Sequence, residues 1–159
     1  MKFERISFAQ YLEDMANIAE YEDCKIPCRA TKNSAGYDFF APFDFHLDPN
    51  ESLVIPTGIK CELDGDKVLN IYPRSGLGFK YKLRLCNTVG IIDADYYNNA
   101  KNEGHIMIKV VNEGDKPVCI GVGEAFAQGV IQQYFITDDD NLTEKQVRAG
   151  GFGSTSEWE

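Results

Sequence analysis

A chain of 159 residues is long enough for one domain with a sizeable core, and its 43% apolar and 26% charged residues are typical of a globular protein rather than a disordered one. Sixteen basic against 25 acidic residues give a net charge of −9, which argues against non-specific nucleic-acid binding because such binding needs a basic face. A small polyanion stays compatible with this charge, since a few local cations and backbone N–H groups can hold one.

The chain shows no sequence signal for export or membrane insertion. No signal-peptide apolar stretch follows Met1, and no apolar run approaches the roughly 20 residues of a membrane helix. We therefore expect a cytoplasmic protein with no membrane partner.

Five scattered cysteines argue against a disulfide framework and predict buried or half-buried reduced thiols. Cys24 and Cys28 form the only close pair, and neither histidine lies at a zinc-finger spacing from them. A zinc site is therefore not favoured.

One helix is predicted, from Ser7 to about Glu20. Ser7 followed by Gln10 resembles a capping box. Apolar residues at helical spacing then predict one face that packs on the core or on a neighbouring subunit: Phe8, Tyr11, Leu12, Met15, Ile18 and Ala19.

From Ser34 onward the pattern changes to short runs rich in β-branched and aromatic residues, separated by Gly, Pro, Asn or Asp. Such runs predict an all-β sandwich or barrel rather than a parallel α/β sheet. The predicted strands are Phe39-Phe40, Ser52 to Ile55, Ile59 to Leu63, Val68 to Tyr72, Leu83 to Thr88, Ile106 to Asn112, Val118 to Ile120 and Ala127 to Phe135.

The last part of the chain, residues 138–159, is polar and rich in glycine. Such ends usually fray. This one also carries Arg148, Ser154 and Thr155, a set of residue types that can clamp a phosphate.

Several catalytic signatures are missing from the sequence, namely the Walker A loop, the dinucleotide-binding glycine motif, His-Glu-x-x-His and Gly-x-Ser-x-Gly. Polar clusters at strand ends remain. Pro73-Arg74-Ser75-Gly76 follows a strand and can grip phosphate oxygens, although a surface salt bridge for Arg74 is an equal alternative. The stretch 90–96 places two carboxylates and an aromatic ring in a predicted turn, where acidic residues are mostly turn formers. Gly123-Glu124 before Ala127-Gln128 indicates a turn into a strand.

Taken in order, these clusters resemble the five motifs of the trimeric dUTPase family. The resemblance spans residues 25–155 and leaves the predicted helix outside it. The matching segments are Ala35-Gly36-Tyr37-Asp38, Pro73-Arg74-Ser75-Gly76-Leu77, Gly90-Ile91-Ile92-Asp93 with Asp95-Tyr96, Gly123-Glu124 with Ala127-Gln128, and Arg148 with Gly150-Gly151-Phe152-Gly153-Ser154-Thr155.

The resemblance implies an all-β fold, a jelly-roll-like β-barrel with an extra N-terminal helix at about 7–20 and a flexible C-terminal arm at about 138–159, in a single domain of 1–159. It implies a homotrimer with active sites between subunits. The first, second and fourth motifs and the third motif would come from two subunits, and the tail of a third subunit would close over the substrate as a lid.

The resemblance also implies roles in cutting dUTP into dUMP and pyrophosphate. Asp93 would be the general base that activates water, and Mg²⁺ would bridge the phosphates, held through a water by Asp38. The residues expected to bind phosphates are Arg74, Ser75, Gly76 and Gln128 together with Arg148, Ser154 and Thr155.

The deoxyuridine part would have its own residues. Tyr96 would pack against the deoxyribose and leave no room for a 2′-hydroxyl. A hairpin from about Leu83 to Ile92 would present Asn87 and the backbone at Gly90 and Ile91 to the uracil, and Phe152 would stack on the base.

The chain departs from the family's usual pattern in three places. Tyr97-Asn98-Asn99 replace the usual Arg-Gly after the motif-three tyrosine, and residues 100–104 lengthen that loop. Ala125 replaces a basic residue, and the spacing between Arg148 and Phe152 is one residue shorter. None of these departures removes a group that the resemblance assigns to the chemistry.

Two alternatives stay open on the same fold. One is dCTP deamination, although Ala94-Asp95-Tyr96 does not fit the pattern of that family. The other is a non-catalytic trimer that binds nucleotides or a regulatory partner, although the expected loss of the base or of the lid residues is not seen.

Overall fold

Short antiparallel strands dominate the computed structural model, which describes residues 1–140 and Lys145. The strands are β1 (Lys2–Arg5), β2 (Cys28–Arg29), β3 (Tyr37–Phe40), β4 (Phe45–Leu47), β5 (Ser52–Pro56), β6 (Ile59–Glu62), β7 (Lys67–Pro73), β8 (Leu83–Leu85), β9 (Gly90–Asp93), β10 (Met107–Asn112), β11 (Val118–Ile120) and β12 (Ala125–Gln133). Two α-helices, α1 (Phe8–Asp14) and α2 (Ser75–Tyr81), and two 3₁₀ turns, Tyr21–Asp23 and Ala94–Tyr96, complete the elements.

The strands form four sheets. The largest has the order β2-β3-β12-β7-β9, and a second has the order β5-β10-β8. The remaining sheets are the pairs β1-β6 and β11-β4. The prediction of a mostly β protein is confirmed. A closed barrel is not found within the described residues, because each of these sheets keeps open edges; the jelly-roll-like arrangement stays a prediction.

One large apolar core holds these sheets together, with Phe39, Phe126 and Leu69 among its fully buried side chains. A second, smaller cluster lies under α1 and consists of Ile6, Tyr11, Met15 and Cys24. The N-terminal segment therefore has its own small core, which is joined to the sheets through β1 and β6.

Helix α1 begins as predicted but ends early. The Gln10 amide donates to Ser7 Oγ, which is half of a capping box, but the Gln10 side chain donates to Asp14 instead of to the Ser7 amide. The predicted extension to Glu20 is wrong, since the helix ends at Asp14 and turns follow. Burial of Met15 against Cys24 and a hydrogen bond from the Tyr11 hydroxyl to Ala19 O fold the chain back at this point. The predicted stripe is only partly buried: Phe8, Leu12 and Ile18 are exposed.

Most predicted strands are found within one or two residues, whereas β1, β2, β4 and β9 were not predicted. The predicted hairpin from Leu83 to Ile92 is wrong as a paired element. Within the described residues, β8 pairs with β10 and β9 pairs with β7, so the two strands belong to different sheets. A turn still joins them, with the Thr88 amide donating to Leu85 O.

The thiols are more exposed than predicted. Cys24 and Cys61 are buried, but Cys28, Cys86 and Cys119 are exposed, and all five are free. Burial raises the pKa of Cys24 to about 11 and that of Cys61 to about 12.

No helix in the described part of the chain is long and apolar enough to cross a membrane.

Candidate active site

The first polar group lies where β3, β7 and β12 meet in the large sheet. Gln128 pairs with Asp38 on one side and with Tyr72 on the other, which places their chains side by side. Arg74 follows β7 directly, and its Nε lies 3.5 Å from Asp38 Oδ1. The structure thus brings together a guanidinium, a carboxylate and an amide that the sequence spreads over 91 positions, from Asp38 to Gln128. Ser75 and Gly76 open α2 beside them and are exposed.

Gly36 explains how Gln128 reaches this group. A Cβ at position 36 would lie 2.5 Å from Gln128 Oε1, so the side chain of Gln128 occupies the space that any larger residue would need. The Gln128 amide also donates to Pro73 O over 3.2 Å. Pro73 is adjacent to Arg74, so this bond holds the amide next to the guanidinium.

The second group surrounds a cavity of about 580 Å³. This volume falls in the range of ligand pockets, about 300–1,000 Å³. Asn87, Gly90, Ile91 and Tyr96 all contribute to its wall, so the structure brings together every described residue predicted to contact deoxyuridine. The rest of the wall is largely aliphatic, with Ile71, Leu85, Ile106 and Ile108. Such a wall suits a flat base and a sugar face more than a triphosphate.

Asp93 ends β9, the strand that supplies Gly90 and Ile91 to the cavity. It is half-buried and pairs with Val68 at the start of β7. Arg74 lies beyond the other end of β7, about 20 Å away at the usual rise of a strand. Within one chain Asp93 and the described residues predicted to bind phosphates therefore lie beside opposite ends of β7.

A dUTPase family model matches residues 22–156. The chain belongs to the dUTPase family. The matched range contains both polar groups and the cavity, while β1 and α1 precede it. Four tail residues that the resemblance assigns to the substrate lie outside the described residues, so their roles stay predictions: Arg148, Phe152, Ser154 and Thr155.

Curated relatives and solved structures agree with this family. The deoxyuridine 5′-triphosphate nucleotidohydrolase of Lactococcus lactis is 45% identical over 130 residues, which cover 82% of this chain and 87% of that protein. The protein of the same name from Desulfitobacterium hafniense is 39% identical over 137 residues, with coverage of 82% and 87%. The crystal structure of dUTPase from Streptococcus mutans is similar with a TM-score of 0.71 at 33% identity, covering 87% of this chain and 99% of that one.

A more distant likeness concerns the fold alone. A mutant dUTPase from phage phi11 of S. aureus, described with a coordinated structural Mg(II) ion, has a TM-score of 0.63 at 23% identity and covers 77% of this chain and 92% of that one.

Sequence reasoning missed the part of the cavity wall that β5, β7 and β10 supply, including Met107 and Lys109. Met107 and Lys109 are two positions apart on β10, so their side chains point to the same side of the strand. The two-residue alternation of side chains along β10 was the sequence signal that could have placed this pair on one face. Lys109 is the only charged residue among the described residues that line this cavity.

Proposed function

We propose that this chain hydrolyses dUTP to dUMP and pyrophosphate, which limits uracil incorporation into DNA and supplies dUMP for dTMP synthesis. The observation that carries the proposal is the cavity lined by Asn87, Gly90, Ile91 and Tyr96, with Asp93 at the end of the same strand. Membership of the dUTPase family and the printed activity of the Lactococcus lactis relative support it. We expect the protein to act in the cytoplasm.

In the proposed reaction Asp93 is the general base. Its carboxylate takes a proton from a water molecule whose oxygen attacks the α-phosphorus of dUTP. The bond between the α-phosphorus and the oxygen that bridges to the β-phosphorus breaks, and pyrophosphate leaves. A positioned base of this kind contributes about 10²–10⁴-fold to the rate.

The phosphate ligands in this proposal are Arg74, Ser75, Gly76 and Gln128. The side chain of Arg74 is 44% exposed, so its guanidinium can turn from Asp38 towards a phosphate. A Cβ at Gly76 would meet nothing within 4 Å, which leaves open space where a phosphate can approach the backbone. Arg148, Ser154 and Thr155 would close on the γ-phosphate from the tail, in which residues 138–159 act as the lid.

The deoxyuridine part would occupy the cavity. Asn87 and the backbone at Gly90 and Ile91 would hydrogen-bond the uracil edge, and Phe152 would stack on the base. The ring of Tyr96 is buried in the cavity wall and would pack against the deoxyribose, excluding a 2′-hydroxyl.

Mg²⁺ fits the residues present only as an ion shared with the substrate. No cluster of three or more His, Cys, Asp or Glu that could hold a metal ion occurs among residues 1–140 and Lys145. In proteins Mg²⁺ usually keeps several waters and is bound by one or two carboxylates plus substrate phosphates, and Asp38 supplies one carboxylate beside the phosphate ligands. When bound, the ion neutralises phosphate charge and fixes the triphosphate geometry.

A homotrimer with shared sites would unite the two polar groups. Because Asp93 and Arg74 lie at opposite ends of β7, one chain cannot place both on one substrate. A neighbouring subunit would supply the missing group, as the family resemblance implies.

The test is pyrophosphate release from dUTP, dCTP, dTTP and UTP in parallel, with Mg²⁺ and with EDTA. We expect fast release from dUTP alone and only with Mg²⁺. Equal release from UTP or dTTP would refute the sugar or base assignment. Ammonia from dCTP would favour the deaminase, and binding of dUTP without turnover would favour the non-catalytic trimer.

A further inference from the structure

Two parts of this chain that depart from the family pattern contact each other. The first is the segment 2–14, which comprises β1 and α1 and precedes the family match; we name it the N-terminal brace. The second is the loop 97–105, which follows Tyr96 and differs from the usual motif-three continuation.

Hydrogen bonds join the brace to this loop directly. The Tyr97 hydroxyl donates to Glu4 of β1. At the start of α1, the Ser7 amide donates to Glu103 Oε2 over 3.0 Å and the Ser7 hydroxyl donates to the other carboxylate oxygen, Oε1. These bonds from Ser7 lower the pKa of Glu103, so the carboxylate that receives them is kept ionised.

Lys60 contacts both the brace and the loop 97–105. Its side chain is only 11% exposed, and a buried ammonium is tolerated where it is paired. Lys60 Nζ donates to Asn98 Oδ1 over 2.7 Å and to Glu103 Oε2 over 3.3 Å, and it lies 3.8 Å from Glu4 Oε1. One cation thus lies between a carboxylate of the brace and one of the loop and attracts both.

A third link reaches the end of the loop. His105 is fully buried, and its Nδ1 lies 2.6 Å from Asp14 Oδ2 at the end of α1. The Gly58 amide donates to His105 Nε2 over 2.8 Å, so Nε2 must be unprotonated. The imidazole is therefore neutral, with its Nδ1–H directed at the brace.

The loop in turn fixes Tyr96 at the cavity wall. The Tyr96 hydroxyl donates to His105 O over 2.9 Å and accepts from Asn102 Nδ2 over 2.8 Å. Asn99 Nδ2 donates to Tyr96 O over 2.8 Å. The hydroxyl and the carbonyl oxygen of Tyr96 thus both bond residues of the loop that the brace contacts.

From these contacts we infer that the N-terminal brace positions Tyr96 through the loop 97–105 and thereby sets the selectivity of the site for deoxyribose over ribose. The inference rests on the proposed function, in which Tyr96 packs against the sugar. Tyr97, Glu103 and Ser7 are positioning residues: they act on the substrate only through Tyr96.

The test uses a double variant, Tyr97→Phe with Glu103→Gln, in the full-length protein. It removes the Tyr97 hydroxyl, which donates to Glu4. It also removes the negative charge of Glu103, the carboxylate that Ser7 and Lys60 both contact. A matched control makes the same chemical changes far from the brace: Tyr134→Phe, where the hydroxyl donates to Gly65 O, and Glu113→Gln, where the carboxylate pairs with Arg84. Ser7→Ala alone is the second variant if the double variant does not fold, as judged by circular dichroism and subunit mass.

The expected result is a roughly tenfold fall in the ratio of kcat/KM for dUTP to kcat/KM for UTP, because a small displacement of a group that shapes the site has effects of this order or more. The loss should come through KM, with kcat for dUTP within about twofold of wild type, since the base and the phosphate ligands are unchanged. A folded double variant with the control's ratio would overturn the inference.

Equilibrium binding of dUMP and UMP by calorimetry separates this inference from the proposed function. If wild type releases no pyrophosphate, the proposed function fails, but a preference for dUMP that the double variant loses would still support the brace. An unchanged preference, or no preference in wild type, would refute it.

Discussion

Asp93 is the side chain on which the proposed chemistry depends most directly. Replacing it with Asn keeps the size and removes the ability to accept a proton from water. We expect Asp93→Asn to lower kcat at least about a hundredfold while dUTP binding survives. Stopped-flow turnover and calorimetric binding measure the two effects separately. Asp115→Asn, in an exposed turn, is the control, and near-normal turnover of Asp93→Asn would show that the base is another group.

Gly36 tests whether Gln128 acts as a phosphate ligand. In Gly36→Ala the new Cβ would meet the tip of the Gln128 side chain at 2.5 Å, and that flexible tip can move away at little cost to stability. We expect a several-fold rise in KM for dUTP with an almost unchanged Tm, since the displaced amide leaves the Arg74 group. Gly65→Ala is the matched control because a Cβ there meets nothing within 4 Å. A large fall in Tm with normal KM would instead make Gly36 a packing residue.

At the scale of elements, strands with a clear pattern of apolar residues were predicted well. Elements that depend on packing or pairing with distant parts of the chain were not predicted. Residues 67–73 and 125–133 alternate or run apolar between turn signals, so β7 and β12 were evident from sequence. Helix α2 was not predicted, because it contains Gly76 and Gly78, which are poor helix formers. Leu77 and Tyr81 stabilise it by packing on the core.

Strand β9 shows the same limit. Its four residues lie between turn-forming types, and they become a strand by pairing with β7, a partner far away in sequence. Sequence motifs still named the four residues that line the cavity together, Asn87, Gly90, Ile91 and Tyr96, because a motif depends on residue identity and not on strand pairing. The link between α1 and loop 97–105 had no local signal at all.

The two histidines of the chain should titrate on opposite sides of the ordinary value of about 6.5. Burial lowers the pKa of His105, against the opposing influence of Asp14 and Glu103. The hydrogen bond with Cys119 and then that with Asp48 raise the pKa of His46. NMR titration resolves the two, with a His46→Asn variant for assignment, and equal midpoints would contradict the neutral imidazole of His105.

The shift of His105 also predicts how the attachment of α1 depends on pH. The folded pKa is below the unfolded one, so the unfolded state binds more protons as the pH falls. Stability from the neutral imidazole is therefore complete above about pH 6.5 and declines as the pH falls through that value towards the lower folded pKa. Urea denaturation of the His46→Asn variant at pH 7.5 and 5.5 should show the decline without the opposite contribution of the raised His46 pKa, and equal stability at both would contradict it.

At the scale of the whole molecule, the described chain places the two polar groups beside opposite ends of β7. The sequence named the residues of each group, and the register of β7 with β9 and β12 explains why the two groups lie apart within one chain. The proposed trimer therefore raises the question of which subunit supplies which group.

Mixing two inactive variants answers that question. Asp93→Asn lacks the base and keeps the phosphate group, whereas Arg74→Gln lacks the guanidinium and keeps the base. In trimers assembled from equal amounts, half of the subunits donate an intact Asp93 and half donate an intact Arg74. If each site takes these residues from different subunits, about one quarter of the sites are whole, so co-refolded mixtures should regain about a quarter of wild-type turnover. Each variant refolded alone is the control. Sites built within single chains would regain none, because every chain in the mixture carries one of the two defects.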